Sequence, residues 1–377
     1  TTMLLDTRGR VFACPMKIGI TVFVGLDCRK LLEICAPAEE GDVFVTNDWH
    51  GTKGASTHLS DIVVIRPFFW KDRLIGYGYA FSHATDVGGK LPGSISPTSS
   101  DTFQEGIRIP VTKLFARDEV RDDVLQMILA NCRAPHDNWG DIKGLVAAMR
   151  MGENRIRELC DRYGAEMVGI ATEDVIEVAG EKARAAVRRI PDGEYRFADY
   201  LDSDVVSDHP VRVALNLTVT GDELMLDWSH SATQVQGAFN VPTGGTNHPW
   251  ITYRALTLLR HLDPTIPFNS GLLTPIQAKA PEGSVLNPHF PAATGVRFPT
   301  ALRANDVMLG ALAQALPSQL PAAGGGTMVP VVFSEPDPAS GRPRVLILQV
   351  LLGGTGKTTA STGGTANWRC SGTPLLR

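Results

Sequence analysis

Seven side chains that can bind a metal or move a proton crowd into residues 41–106: Asn47, Asp48, His50, His58, Asp61, His83 and Asp86. Imidazole and carboxylate donors suit Zn²⁺, Mn²⁺ or Fe²⁺, and strand ends can present them rigidly toward one point. THLSD sets His58 and Asp61 three apart at the start of a strand-like run. SHATD repeats that spacing with His83 and Asp86 at the end of a later one. If the runs pair in one sheet, both ends converge on one site. The competing reading is that Asp and His are turn and capping residues at strand ends. The residues alone leave both open.

Asp48, in TNDWHG, offers a further ligand, a contact to a substrate amide, or an Asx-turn leading into the glycine loop, and the turn is preferred. His50 lacks a repeated context and reads as a surface histidine. His136 and Asp137 in RAPHDNWGD precede a helix, with Asp137 or Asn138 as its N-cap. Cys14, Cys132 and Cys160 lie in apolar surroundings and read as core thiols.

A second chemical signal is GGTGKTT, residues 353–359, directly after the strand-like RVLILQVLL. A glycine loop with Lys and Thr can cradle phosphates. The P-loop pattern nevertheless fails, because Leu351 stands where its first glycine belongs and no apolar helix follows. Signatures of a serine nucleophile or a dinucleotide fold are missing too.

The elements that must position these residues are strands first, then helices, then strands again. Residues 2–24 read as a hairpin turning at residues 7–10, and 26–36 as a short amphipathic helix. VFVTN, DIVVIRPFFW and LIGYGYAFSHA read as strands, the last two joined by a turn at residues 71–73. A Gly/Pro/Ser-rich loop at 87–102 is long enough to be expected to carry function. From residue 120 to 188 the apolar spacing turns helical, with Leu145, Ala148, Met149, Ile156 and Leu159 as the expected buried stripe and Gly164 as a stop. EYRFADYLD and VRVALNLTVTGDELMLDWSHS suggest an antiparallel meander. WITYRALTLLRHL and residues 300–315 read as helices. The order predicts an α+β fold with mixed sheets, a helical segment in the middle and several layers. The expected divisions are a strand-rich metal-site domain at 1–118, a helical segment at 119–190 and a mixed domain at 191–377, truncated at its C-terminus.

A chain of 377 residues, 43% hydrophobic and 20% charged, with net charge -4, fits a globular protein with a sizeable core. The lack of a basic stripe argues against nucleic acid as a partner. No apolar run reaches the ~18 residues of a membrane span. Six cysteines without a CxxC pair point to reduced thiols and a cytoplasmic location.

Together, GDVFVTND, THLSDIVVIRPFF, SHATDVGGKLPGS, QEGIRIPVTKL, GDIKGLVAAMRMGENRIRELCDRYG, DWSHSATQVQGAFNVP and PEGSVLNPHFPAATGVR resemble the hydantoinase B family along essentially the whole chain. That family includes N-methylhydantoinase B, the C-terminal half of ATP-dependent 5-oxoprolinase, and components of acetone and acetophenone carboxylases. GGTGKTT stands where the family tends to have GGTGAR, which makes it a family element.

The resemblance implies one half of a two-part ATP-dependent enzyme. A hydantoinase A-type partner binds ATP and phosphorylates a carbonyl oxygen, and the B-type chain holds a divalent metal and completes ring opening of a cyclic amide. Carried over, the metal ligands are His58, Asp61 and His83; beside them we expect Asp48 and Asp86 to orient the site or contact substrate. A further aspartate ligand is expected at or before position 1, and the chain is expected to be a fragment. This sequence departs from the family at Ser60 (usually proline), at Asn47-Asp48-Trp49-His50 (usually NDPY) and at His83-Ala84-Thr85-Asp86 (usually HHAD). The alternatives are a component of a ketone carboxylase and a non-catalytic truncated paralogue.

Overall fold

A computed structural model describes residues 1–15, 21–317, 319–320, 328–338, 341 and 343–352. The GGTGKTT loop and Cys370 lie outside the described residues. The fold is α+β, as the order of elements predicts. The first half builds a seven-stranded sheet from β1 (Thr2–Leu5), β2 (Val11–Ala13), β3 (Val43–Thr46), β4 (Asp61–Trp70), β5 (Arg73–His83), β6 (Thr112–Ala116) and β7 (Glu119–Val120), in the order β2-β1-β5-β4-β3-β6-β7. Between β2 and β3 lies helix α1 (Arg29–Cys35).

The DIVVIRPFF run is apolar at successive positions because both faces of β4 are covered. Val63 and Ile65 face a core shared with Met3, Leu5, Leu31 and Tyr79, while Ile62 and Val64 face one shared with Val43, Ile142 and Val146. β4 and β5 form an antiparallel hairpin whose turn residues Lys71 and Asp72 both have positive φ, 49° and 60°. Turns of that hand match the right-handed twist of the strands.

The helical stretch comprises α2 (Asp122–Leu129), α3 (Pro135–Tyr163) and α4 (Ala165–Val187), with Gly164 at φ 83° closing α3. α3 shares a core with Phe68 and Ala80 of the first sheet, whereas Ala179, Ala183 and Val187 of α4 belong to the core of the second half. Two expectations fail here. α3 begins at Pro135, so Asp137 and Asn138 lie inside the helix, and Asn138 Nδ2 donates to the Asp86 carbonyl at 2.6 Å. The buried stripe is Ile142, Val146, Met149, Glu153, Ile156 and Cys160, while Leu145 and Ala148 are half-buried and Leu159 is exposed. The reason is a charge: Glu153 takes Arg66 Nε at 2.7 Å and Arg157 Nη2 at 2.8 Å, so a carboxylate occupies the centre of the buried face.

The second half is a four-stranded sheet of β8 (Gly193–Leu201), β9 (Val211–Thr220), β10 (Glu223–Asp227) and β11 (Ile276–Lys279), with α5 (Pro249–Leu262) and α6 (Phe298–Ala315) packed into its core. The meander is antiparallel as expected, but β11 joins β10 in parallel after the α5 crossover. β12 (Met328–Pro336) and β13 (Pro343–Leu352) form a separate antiparallel ladder. The predicted hairpin over residues 2–24 is shorter: its second strand ends at Ala13, and Thr21–Gly25 is a 3₁₀ turn.

Candidate functional site

Strand pairing brings the candidate donors to one end of the first sheet. In the β4–β5 register Asp61 lies directly opposite His83, close enough for side chains on one face to meet. His58 sits on the turn that enters β4, where its carbonyl accepts from Asp61 N at 3.1 Å. The His58 and His83 rings lie 4.9 Å apart between centroids, and His58 Nε2 is 3.1 Å from Asp61 Oδ1. Thus the two H-x-x-D stretches do converge, through His58, Asp61 and His83.

Their polar atoms are unevenly satisfied. His83 Nδ1 lies 3.1 Å from the Ala84 carbonyl, a contact that needs the proton on Nδ1 and leaves Nε2 a bare lone pair. That Nε2, and both ring nitrogens of His58, are buried without a hydrogen-bond partner. The 3.1 Å approach of His58 Nε2 to Asp61 is therefore a contact without hydrogen-bond alignment. Burial pushes the His58 imidazole down to about 3, with Arg297 adding to the effect, and burial lowers His83 as well. Both are neutral near pH 7. For Asp61, burial alone raises the carboxyl, but His58 and Arg297 outweigh it and hold the group below the ordinary carboxylate range. Because His58 is neutral, we assign that stabilisation to Arg297.

Arg297 was not legible from the sequence as a site residue. Its Nη2 donates to Asp61 Oδ2 at 2.8 Å and its Nε to Thr57 Oγ1 at 2.6 Å, while Thr57 donates to the same Asp61 oxygen at 3.1 Å. Burial lowers the guanidinium to about 10, opposed by Asp61 and Glu105. Glu105 lies close to the segment that carries Arg297: its carboxylate accepts from Thr294 N at 2.9 Å and Gly295 N at 2.6 Å. Burial raises Glu105 to about 7 against those hydrogen bonds. His248 has a structural job, accepting from Trp250 N at the start of α5 with its other ring nitrogen 3.1 Å from the Gly54 carbonyl.

Asp48 and Asp86 sit at the same sheet end in other roles. Asp48 Oδ1 accepts from His50 N at 3.1 Å and Gly51 N at 3.2 Å, the preferred Asx-turn, while Oδ2 lies 3.7 Å from Arg108 Nη1. Asp86, expected to orient the site or touch substrate, is fully buried and spends both oxygens on the following loop. Oδ1 accepts from Gly88 N and Arg133 N, and Oδ2 from Gly93 N and Arg133 Nη1, all at 2.8–3.0 Å. The exposed His50 ring packs 5.1 Å from Phe290.

Two imidazoles with bare nitrogens and a carboxylate oxygen beside them are the donor chemistry of a divalent transition metal. The Nδ1 contact of His83 is the usual way such a ligand is oriented. Among the described residues no group of three His, Cys, Asp or Glu side chains is arranged to hold a metal ion. The orphaned nitrogens fit a metal as an open set, not as a finished cage. The N-terminal end of β1 borders this set, with the Thr1 amino group donating to the Phe81 carbonyl at 3.0 Å.

The family profile described as hydantoinase B/oxoprolinase matches residues 1–375. The B-type component of a putative D-/L-hydantoinase from Pseudomonas sp. (strain NS671) is 33% identical over 304 residues, covering 78% of this chain and 50% of that protein. The solved ATP-dependent caprolactamase from Pseudomonas jessenii superposes with a TM-score of 0.81 at 26% identity, covering 92% of this chain and 59% of that one. A nucleotide-free acetone carboxylase superposes with a TM-score of 0.84 at 18% identity, over 97% of this chain and 50% of that one, a likeness of fold. The chain spans about half the length of the curated relatives it matches.

Proposed function

This chain belongs to the hydantoinase B/oxoprolinase family, and from that premise we propose that it is the metal-holding subunit of an ATP-dependent cyclic-amide hydrolase. The observation that carries the reading is the trio of buried, unpartnered imidazole nitrogens on His58 and His83 beside Asp61. The relatives named as a hydantoinase component and an ATP-dependent caprolactamase supply the substrate class, a ring amide such as a hydantoin, oxoproline or lactam.

An unstrained amide resists water at neutral pH, and phosphorylation of its oxygen turns that oxygen into a leaving group. ATP belongs to a hydantoinase A-type partner, which carries out that step. A bound Zn²⁺, Mn²⁺ or Fe²⁺ supplies Lewis acidity. His58 Nε2, His83 Nε2 and an oxygen of Asp61 would hold the metal. The Ala84 carbonyl fixes the His83 tautomer, Arg297 and Thr57 keep Asp61 ionised and oriented, and Asp48 offers Oδ2 at the edge of the site. Asp86 acts at a distance by holding the loop after β5.

Co-expression with an A-type partner, followed by ADP release over a panel of hydantoins, lactams and ketones, tests the reading. Turnover of a cyclic amide, abolished by His83→Ala with assembly of the complex intact, is the expected result. Full activity of that variant removes the metal role. Turnover of ketones alone, with carbon dioxide consumed, would make the chain part of a carboxylase instead.

A further inference from the structure

Arg297 is 1% exposed yet uses only part of its donor capacity. Nε and Nη2 are engaged by Thr57 and Asp61, while Nη1 is buried with no hydrogen-bond partner. The side chain cannot swing to satisfy it. Its guanidinium carbon lies 4.4 Å from the Phe298 ring centroid and 5.7 Å from that of Trp250, so aromatic rings fix the group as well as hydrogen bonds. Buried polar groups in folded proteins are almost always paired. A charged donor left over, beside imidazole nitrogens that are also left over, marks a place for an acceptor that this chain does not provide.

Charge points the same way. Asp61 is already answered by Arg297, and the nearby carboxyl of Glu105 is turned to the Thr294 and Gly295 amides. A dication held by His58 and His83 would find no uncompensated carboxylate, so an anion is needed to balance the site.

We propose that Nη1 of Arg297 binds an oxygen-borne negative charge of the substrate, a phosphoryl or carboxylate oxygen, next to the metal donors. The identification of that anion with substrate rests on the function proposed above; the anion site itself does not. A guanidinium suits such oxygens better than an ammonium because its N–H groups are fixed in one plane.

Calorimetric titration of the full chain, metal-loaded and metal-stripped, with inorganic phosphate and separately with acetate tests this. Wild type should bind at least one of the two anions, and Arg297→Lys should weaken that binding by about tenfold or more. Loss for phosphate alone assigns a phosphoryl oxygen, and loss for acetate alone a carboxylate. Arg297→Met combined with Asp61→Asn removes both charges together, so neither is left buried alone, and is titrated metal-stripped. Undiminished anion binding in either folded variant overturns the proposal, as does a metal-loaded wild type that takes neither anion. Arg297-dependent anion binding without turnover of any cyclic amide would sink only the proposed function. Amide turnover with anion binding indifferent to Arg297 would sink only this inference.

Discussion

At the scale of single residues, spacing carried information wherever partners lie on adjacent strands. The convergence of His58, Asp61 and His83 was readable because two strands joined by a short turn must bring their far ends together. Arg297 was not, since it reaches Asp61 from 236 positions away and no spacing ties its stretch, TGVRFP, to the H-x-x-D runs. Asp86 shares the H-x-x-D context of Asp61, yet its carboxylate partners are loop amides and Arg133. Removing that carboxylate orphans four N–H donations, one of them fully buried, so Asp86→Ala should lose about 3 kcal/mol of stability by thermal unfolding while metal content per folded chain stays unchanged. A stable variant that has lost its metal would instead put Asp86 in the donor set. Glu105 gives a prediction in pH. Burial raises it from 4.5 to about 7, so between those values the folded chain keeps a proton that the unfolded chain has released. Stability conferred by the protonated form is therefore present at low pH and lost as pH rises through that window, by on the order of 3 kcal/mol. Urea midpoints of wild type should fall relative to Glu105→Gln between pH 4.5 and 7. A gap that does not change with pH would contradict this.

At the scale of elements, α3 shows how a helix can be located correctly and rotated wrongly. Its apolar periodicity and its stop at Gly164 were legible, and so were Met149 and Ile156. Glu153 has no place in a stripe read from apolar residues, because a lone carboxylate avoids a core. Arg66 on β4, together with Arg157 one turn on, makes it an inside residue, and the Arg66 pairing spans 87 positions. The rotation is measurable. Ile156→Ala should cost about 2–4 kcal/mol by opening a cavity against the first sheet, and Leu159→Ala less than about 1 kcal/mol because that side chain is exposed. Equal losses in chemical denaturation would restore the stripe read from the sequence.

At the scale of the whole molecule, the order of strands and helices was enough for the α+β class, because alternation and helical spacing are local. The parallel addition of β11 was not readable, since it depends on where the α5 crossover returns the chain. Nor was the sharing of the helical stretch between two cores, with α3 on the seven-stranded sheet and α4 on the second half. Among the described residues no helix is long and apolar enough to cross a membrane. The central claim is that one end of the first sheet holds a divalent metal through His58, Asp61 and His83, and elemental analysis of the purified chain tests it most directly. The account predicts about one equivalent of Zn, Mn or Fe per chain, lost in His58→Ala and in His83→Ala with the fold intact. Less than about a tenth of an equivalent in folded wild type, after incubation with each metal, would contradict it.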